Sequence, residues 1–217
     1  MHKTIHLLLF LIPASLIAVD VRAQSQGGYV GGGLGGSDAS FNSSDFSLGL
    51  PQVAESQTKT DTGMKLFAGI RFDRNWAAEV GYTNLGKFKY NYNGAGAGTA
   101  GFDYKVSGFT LSGVGTLPLS NDLSLFGRVG LFGSTAKISL ATATGAVGTA
   151  LADAGFTVGS GASTSKTNLY FGIGGQYDFT RSIAARVEYE DYGEVGDSSD
   201  TGRVSVSLIS ASVLIRF

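Results

Sequence analysis

Apolar and polar residues alternate with a period of two along most of this chain, the pattern of strands whose two faces meet different surroundings. Eight segments carry the pattern. The first lies around Gly28 to Leu34, and in the second, Gly63 to Phe72, the residues Met64, Leu66, Ala68, Ile70 and Phe72 share a face. The third, Trp76 to Leu85, aligns Trp76, Ala78, Val80 and Tyr82. The fourth, about Tyr104 to Leu119, aligns Phe109, Leu111, Leu117 and Leu119, and the fifth, about Leu123 to Phe132, aligns Leu123, Leu125, Val129 and Leu131. The sixth, Asn168 to Phe179, aligns Leu169, Phe171, Ile173, Tyr177 and Phe179, and the seventh, Ser182 to Tyr192, aligns Ile183, Ala185, Val187 and Tyr189. The eighth, Val204 to Phe217, aligns Ile209, Ala211, Val213, Ile215 and Phe217. Its first half carries Val204, Val206 and Leu208 on the other parity, which predicts a bulge or a late start.

The connections alternate in length. Asp73-Arg74-Asn75, the stretch around Ser120-Asn121-Asp122, and Thr180-Arg181 are tight turns. Between them lie long connections at Gly35 to Thr62, Gly86 to Asp103, Gly133 to Thr167 and Gly193 to Arg203. Short periplasmic turns and long external loops are the signature of an up-and-down barrel in the outer membrane. Alternation alone would also fit a soluble sandwich or a lipocalin-type barrel with its charges outside. The loop asymmetry and the C-terminal strand favour an all-β, eight-stranded antiparallel transmembrane barrel. Phe72, Trp76, Phe179 and Phe217 fall beside the short turns, and Tyr82, Tyr189 and Tyr192 toward the long loops, as girdles at both lipid interfaces would.

The first residues read differently. Lys3 precedes an apolar run from Ile5 to Val19, and Val21-Arg22-Ala23 is a small-x-small cleavage site before Gln24. Residues 1–23 are therefore expected to be a signal peptide and residues 24–217 the barrel. Pro13 breaks the run, which is shorter than the roughly 18 apolar residues of a spanning helix. Cleavage removes both histidines, His2 and His6, and the chain has no cysteine. The mature chain thus has no Ser-His or Cys-His nucleophile pair, which argues against the common outer-membrane lipases and deacylases. A formal net charge of -1 argues against nucleic-acid binding.

The parity opposite the apolar face holds Lys65, Arg71, Glu79, Arg128, Arg186, Glu188 and Glu190. A charge inside a narrow barrel needs a partner, so these are expected to form an interior charge network. Its role is structural or that of a gate. Glu194, Asp197 and Asp200 share one external connection but lack the spacing of a Ca²⁺ loop, and neither a metal nor a cofactor is expected. The connections containing Tyr90-Asn91-Tyr92-Asn93-Gly94 and Ser139 to Ser165 read as flexible, with contact to a host or another cell as the sharper alternative.

Several motifs, taken in order, resemble the OmpA-like transmembrane β-barrel family. Tyr29-Val30-Gly31-Gly32-Gly33-Leu34-Gly35-Gly36-Ser37 looks like that family's first strand. Phe126-Gly127-Arg128-Val129-Gly130-Leu131-Phe132 resembles its fifth, and Ala185-Arg186-Val187-Glu188-Tyr189-Glu190 its seventh. The ending Ser212-Val213-Leu214-Ile215-Arg216-Phe217 is similar to the signal read by the assembly machinery, which makes Val213, Ile215 and Phe217 the assembly residues by resemblance. The resemblance implies the cell outer membrane of a Gram-negative organism. It also implies outer-membrane lipids including lipopolysaccharide, the β-barrel assembly machinery and periplasmic chaperones as partners, and a switchable ion gate as one use of the interior charges. Many members add a peptidoglycan-binding domain; the sequence ends at Phe217, so wall anchoring is not expected. The function expected is non-enzymatic: envelope integrity and surface interaction through external loops. A narrow pore for small solutes is the alternative, with a lipid-modifying enzyme or a soluble periplasmic binding barrel behind it.

Overall fold

The computed structural model describes residues 27–42, 53–94, 96–153, 155, 157–198 and 201–217. The predicted signal peptide, its Ala23–Gln24 junction and Asp200 lie outside the described residues. The strands are β1 (Gly27–Phe41), β2 (Val53–Thr58), β3 (Thr60–Arg71), β4 (Trp76–Gly94), β5 (Gly98–Pro118), β6 (Leu123–Ala143), β7 (Gly161–Asp178), β8 (Ile183–Val195) and β9 (Val204–Arg216). One helix, α1 (Gly145–Asp153), sits between β6 and β7.

Every pairing is antiparallel, and β1 pairs with β9 from Tyr29↔Arg216 to Phe41↔Val204, closing eight strands into a ring. Strand β2 continues β3 past Lys59 and pairs with the upper part of β4. Closure is what makes lipid a tolerable solvent, because no backbone N–H or C=O is left on a strand edge in the hydrocarbon. The outward residues are those the alternation predicts: Leu66, Val80, Leu111, Val129, Ile173, Val187 and Val213 are all exposed.

The three tight turns share one chemistry. Asp73 accepts from the N–H groups of Asn75 (2.7 Å) and Trp76 (2.8 Å). Ser120 Oγ accepts from Leu123 N–H at 3.1 Å, and Thr180 Oγ1 from Ile183 N–H at 2.9 Å. In each, a short side chain supplies the acceptor that folds the backbone back.

The long connections depart from expectation. Most of Gly86 to Asp103, and the flanks of Gly133 to Thr167, are strand. The reason is a continued alternation with apolar residues on the inner face: Phe88, Tyr90 and Tyr92 on β4, Tyr104 and Val106 on β5, Ala136 and Leu140 on β6, all buried. The tyrosines of the Tyr90–Gly94 stretch therefore pack inward. Strand β9 alternates without a break, and Val204, Val206 and Leu208 are buried. Their parity marks a change in what fills the barrel, not a bulge; the irregularity lies in β8, between Asp191 and Glu194.

Candidate functional site

Each inward charge is placed by its strand's parity. Glu79 comes from β4, Lys65 from β3, Arg128 from β6, and Arg186, Glu188 and Glu190 from successive inward positions of β8. Lys65 Nζ lies 2.6 Å from Glu188 Oε1 and 2.6 Å from Glu190 Oε2. Arg128 reaches Glu79 Oε2 at 2.9 Å through Nη1 and Glu188 Oε2 at 2.8 Å through Nη2. Arg186 Nη1 lies 2.5 Å from Glu79 Oε1. Three cations and three carboxylates thus form one neutral, buried cluster. Arg128 holds its carboxylates by proximity rather than by aligned hydrogen bonds, since its Nε and Nη2 have no aligned acceptor.

Room for these long side chains comes from β7, whose inward positions there are glycines. A Cβ at Gly172 would stand 2.8 Å from Arg128 Cγ, and one at Gly174 would stand 2.7 Å from Glu188 Cβ. Aromatic groups complete the cluster. Tyr29 donates its hydroxyl to Glu79 at 2.7 Å, and Tyr192 donates to Glu190 at 3.1 Å. The Arg186 guanidinium lies 4.9 Å from the Phe126 ring and 5.3 Å from the Tyr29 ring, in reach of a cation–π attraction. Toward the periplasm, Arg186 donates to Gln176, Gln176 to Asp178, and Arg216 to Asp178.

Above the cluster the interior turns apolar. Tyr170 and Tyr192 stack at 5.3 Å, 3° from parallel, and Phe132 packs on Tyr192 at 4.6 Å. Phe88, Leu85, Val106, Ala136, Val195, Val206 and Leu208 fill the rest, all essentially inaccessible to solvent.

Six of the seven predicted interior charges meet in this cluster. Arg71 does not: it is half-buried near the periplasmic end of β3 and joins no ion pair among the described residues. Tyr192 is a correction of another kind, since it is fully buried and belongs to the interior, not to a girdle. Its parity, shared with Glu188 and Glu190, was the signal. Tyr29, beside Glu79, and Thr83, whose hydroxyl lies 3.3 Å from that of Tyr192, were also missed as partners. Phe217, Val213 and Ile215 are exposed on the outer face, and the backbone N–H of Phe217 donates to Gly28 O at 3.0 Å. Glu194 sits beside Lys166 at 3.7 Å, and among the described residues no acidic group is arranged to hold a metal ion.

The model of the OmpA-like transmembrane domain matches residues 23–217. The chain belongs to that family. It is 28% identical over 165 residues to outer membrane protein A of Yersinia pseudotuberculosis serotype I (strain IP32953), covering 73% of this chain and 41% of that protein. It is 29% identical over 163 residues to outer membrane protein A of Salmonella typhi, covering 71% and 40%. The chain therefore spans about two-fifths of the length of the curated relatives it matches. Among solved structures, OprG of Pseudomonas aeruginosa aligns with a TM-score of 0.54 at 15% identity, over 90% of this chain and 99% of that one. Neisserial surface protein A aligns with a TM-score of 0.53 at 18% identity, over 88% and 97%. Both agree with the fold. This family member is an outer-membrane β-barrel of a Gram-negative envelope.

Proposed function

We propose that this barrel is a non-enzymatic, non-conducting support of the outer membrane that carries a stiff external crown for surface contact. The observation behind the reading is the double filling of its interior. The neutral charge cluster occupies one level and the packed apolar side chains the next, with Arg128, Glu188, Glu190, Tyr170, Phe132 and Leu208 all buried. An eight-stranded barrel is only wide enough for side chains to fill, and a dry, apolar level adds a second barrier to ions. A gate that worked by re-pairing Arg128 alone would still face the apolar level. Among the described residues, β2 and the outer parts of β4, β5 and β6 build much of the crown from paired strand, which supports the reading of a firm surface for a cell-surface or host ligand.

Export through residues 1–23, cleavage after Ala23, and insertion by the assembly machinery through Val213, Ile215 and Phe217 complete the proposal. Lipopolysaccharide is the expected lipid neighbour. The test joins two measurements. In planar bilayers, wild type and Arg128→Ala are both expected to show no steady single-channel current. A deletion strain is expected to be more sensitive to detergent and less adherent, both restored by the wild-type gene. Steady conductance of the wild type would replace this reading with the pore.

A further inference from the structure

We propose that the outer rim of β4, β5 and β6 binds a phosphorylated lipid headgroup of the outer leaflet through Lys87, Lys105 and Lys137, a site that rests on the membrane-support reading above and gives it a ligand class. Lys87 stands directly opposite Lys105, and Lys105 directly opposite Lys137. Phe88, Val106 and Ala136 beside them are wholly buried, so the lysines face outward, and all three are exposed. Directly opposed residues on antiparallel strands hold their Cβ atoms about 4.5–5.5 Å apart, and like charges so placed destabilise the pairing. Three ammonium groups in one row are thus an unfavourable arrangement, which the single carboxylate beside Lys87 offsets only in part.

The acidic groups that face the row are few. Asp103 lies 3.1 Å from Lys87 Nζ and stands opposite Lys89, a further outward cation. Asp61 is engaged by backbone, accepting from Lys87 N–H at 2.6 Å and from Thr62 N–H at 2.8 Å. Lys105 and Lys137 have no ion pair among the described residues.

The height of the row selects the ligand. The last aromatic line of the apolar band is Tyr82 opposite Phe109, their rings 5.2 Å apart, with Gly133 beyond. One outward step higher come Asn84, Ser107 and Thr135, and the next is the lysine line. On β5 that is four residues above Phe109, about 13 Å along a tilted strand and less along the membrane normal. Flexible lysine stems let the three charges reach into the headgroup layer from this line. The rest of the rim differs: β7 presents Ser163, Ser165 and Thr167, while β8 and β1 present Asp191 and Asp38. A basic row on one side only is a site for an anion, not general solvation.

The test uses the full chain folded in zwitterionic detergent micelles and titrated with fluorescent lipid A bearing both phosphates. The triple variant Lys87→Gln, Lys105→Gln, Lys137→Gln is expected to bind about 100-fold more weakly, from the effect of three lysines near an anionic surface. Dephosphorylated lipid A should bind the wild type as weakly as the variant binds the phosphorylated form. Inorganic phosphate at the same concentration should not compete; full competition would assign the row to free anions and overturn the lipid site. Lys166→Gln, off the row and beside Glu194, should bind like wild type. Equal binding by the triple variant, or equal loss in Lys166→Gln, would also overturn it. Folding is read from the heat-shifted gel mobility of the same samples, so lost binding by a folded variant speaks to the lysines and lost folding to the barrel. Lys105→Gln alone, expected to lose about fivefold, carries the test if the triple variant does not fold.

Discussion

Toward the short turns the barrel is filled by the charges of Lys65, Glu79, Arg128, Arg186, Glu188 and Glu190; toward the long connections it is filled by Leu85, Phe88, Val106, Phe132, Val206 and Leu208. The two regions share one wall and one inward parity, yet solve the problem of filling a narrow tube in opposite ways. The lower region is fixed by electrostatic matching, so its stability depends on keeping the count of charges even. The upper region is fixed by shape, as in a soluble core. Damage to each should therefore look different.

The largest effect is expected from Glu188→Leu, which strips a carboxylate from both Lys65 and Arg128. A guanidinium cannot shed its charge, so the cluster is left with an uncompensated cation, at a cost of about 3–5 kcal/mol. Guanidinium-chloride unfolding in lipid vesicles measures it. Adding Lys65→Met restores neutrality and should recover most of the loss; no recovery would mean that the cluster is held by packing rather than by charge balance. Arg128→Ala should cost less than Glu188→Leu, because a carboxylate left behind can take up a proton.

Val129 follows Arg128 but faces lipid, 51% exposed. Val129→Arg should cost about 2–4 kcal/mol and lower the folded yield in vesicles more than Arg128→Ala does. Equal yields for Val129→Arg and wild type would reverse the two faces. In the upper region, Leu208→Ala should cost about 2–3 kcal/mol through a cavity, with no dependence on pH. A pH-dependent loss there would mean that the upper level is coupled to the charges below. The smallest effect is expected at Lys166–Glu194, an exposed pair: Lys166→Ala should change stability by less than about 1 kcal/mol in the same assay.

The wall was legible in the sequence and the upper filling was not. Outward positions such as Val80, Leu111 and Ile173 face lipid along the whole span, so period two identifies them without any knowledge of partners. Lys65 and Glu188 lie 123 residues apart in the chain, so parity could place both inside but not pair them. The upper region defeated a simple rule, that apolar means lipid. Tyr90, Tyr104 and Val204 are apolar and inward, because above the membrane the outer face meets water and the inner face becomes the dry one. The same inversion turned predicted loops into strands. Arg71 was misplaced for a lesser reason: it has the right parity but lies near the end of its strand, where the barrel opens.

Strands β5 and β6 each run for 21 residues. At about 3.3 Å per residue that is roughly 70 Å of chain, and a tilt near 40° leaves about 50 Å along the membrane normal. The apolar band accounts for about 25 Å of it. This part of the wall is therefore a ruler that stands about twice as tall as the layer it crosses. Its outer end, beside the β4–β5 turn at Gly96 and Ala97, is held clear of the lipid surface at a set distance, within reach of an antibody, while the lysine flank stays at the level of the headgroups.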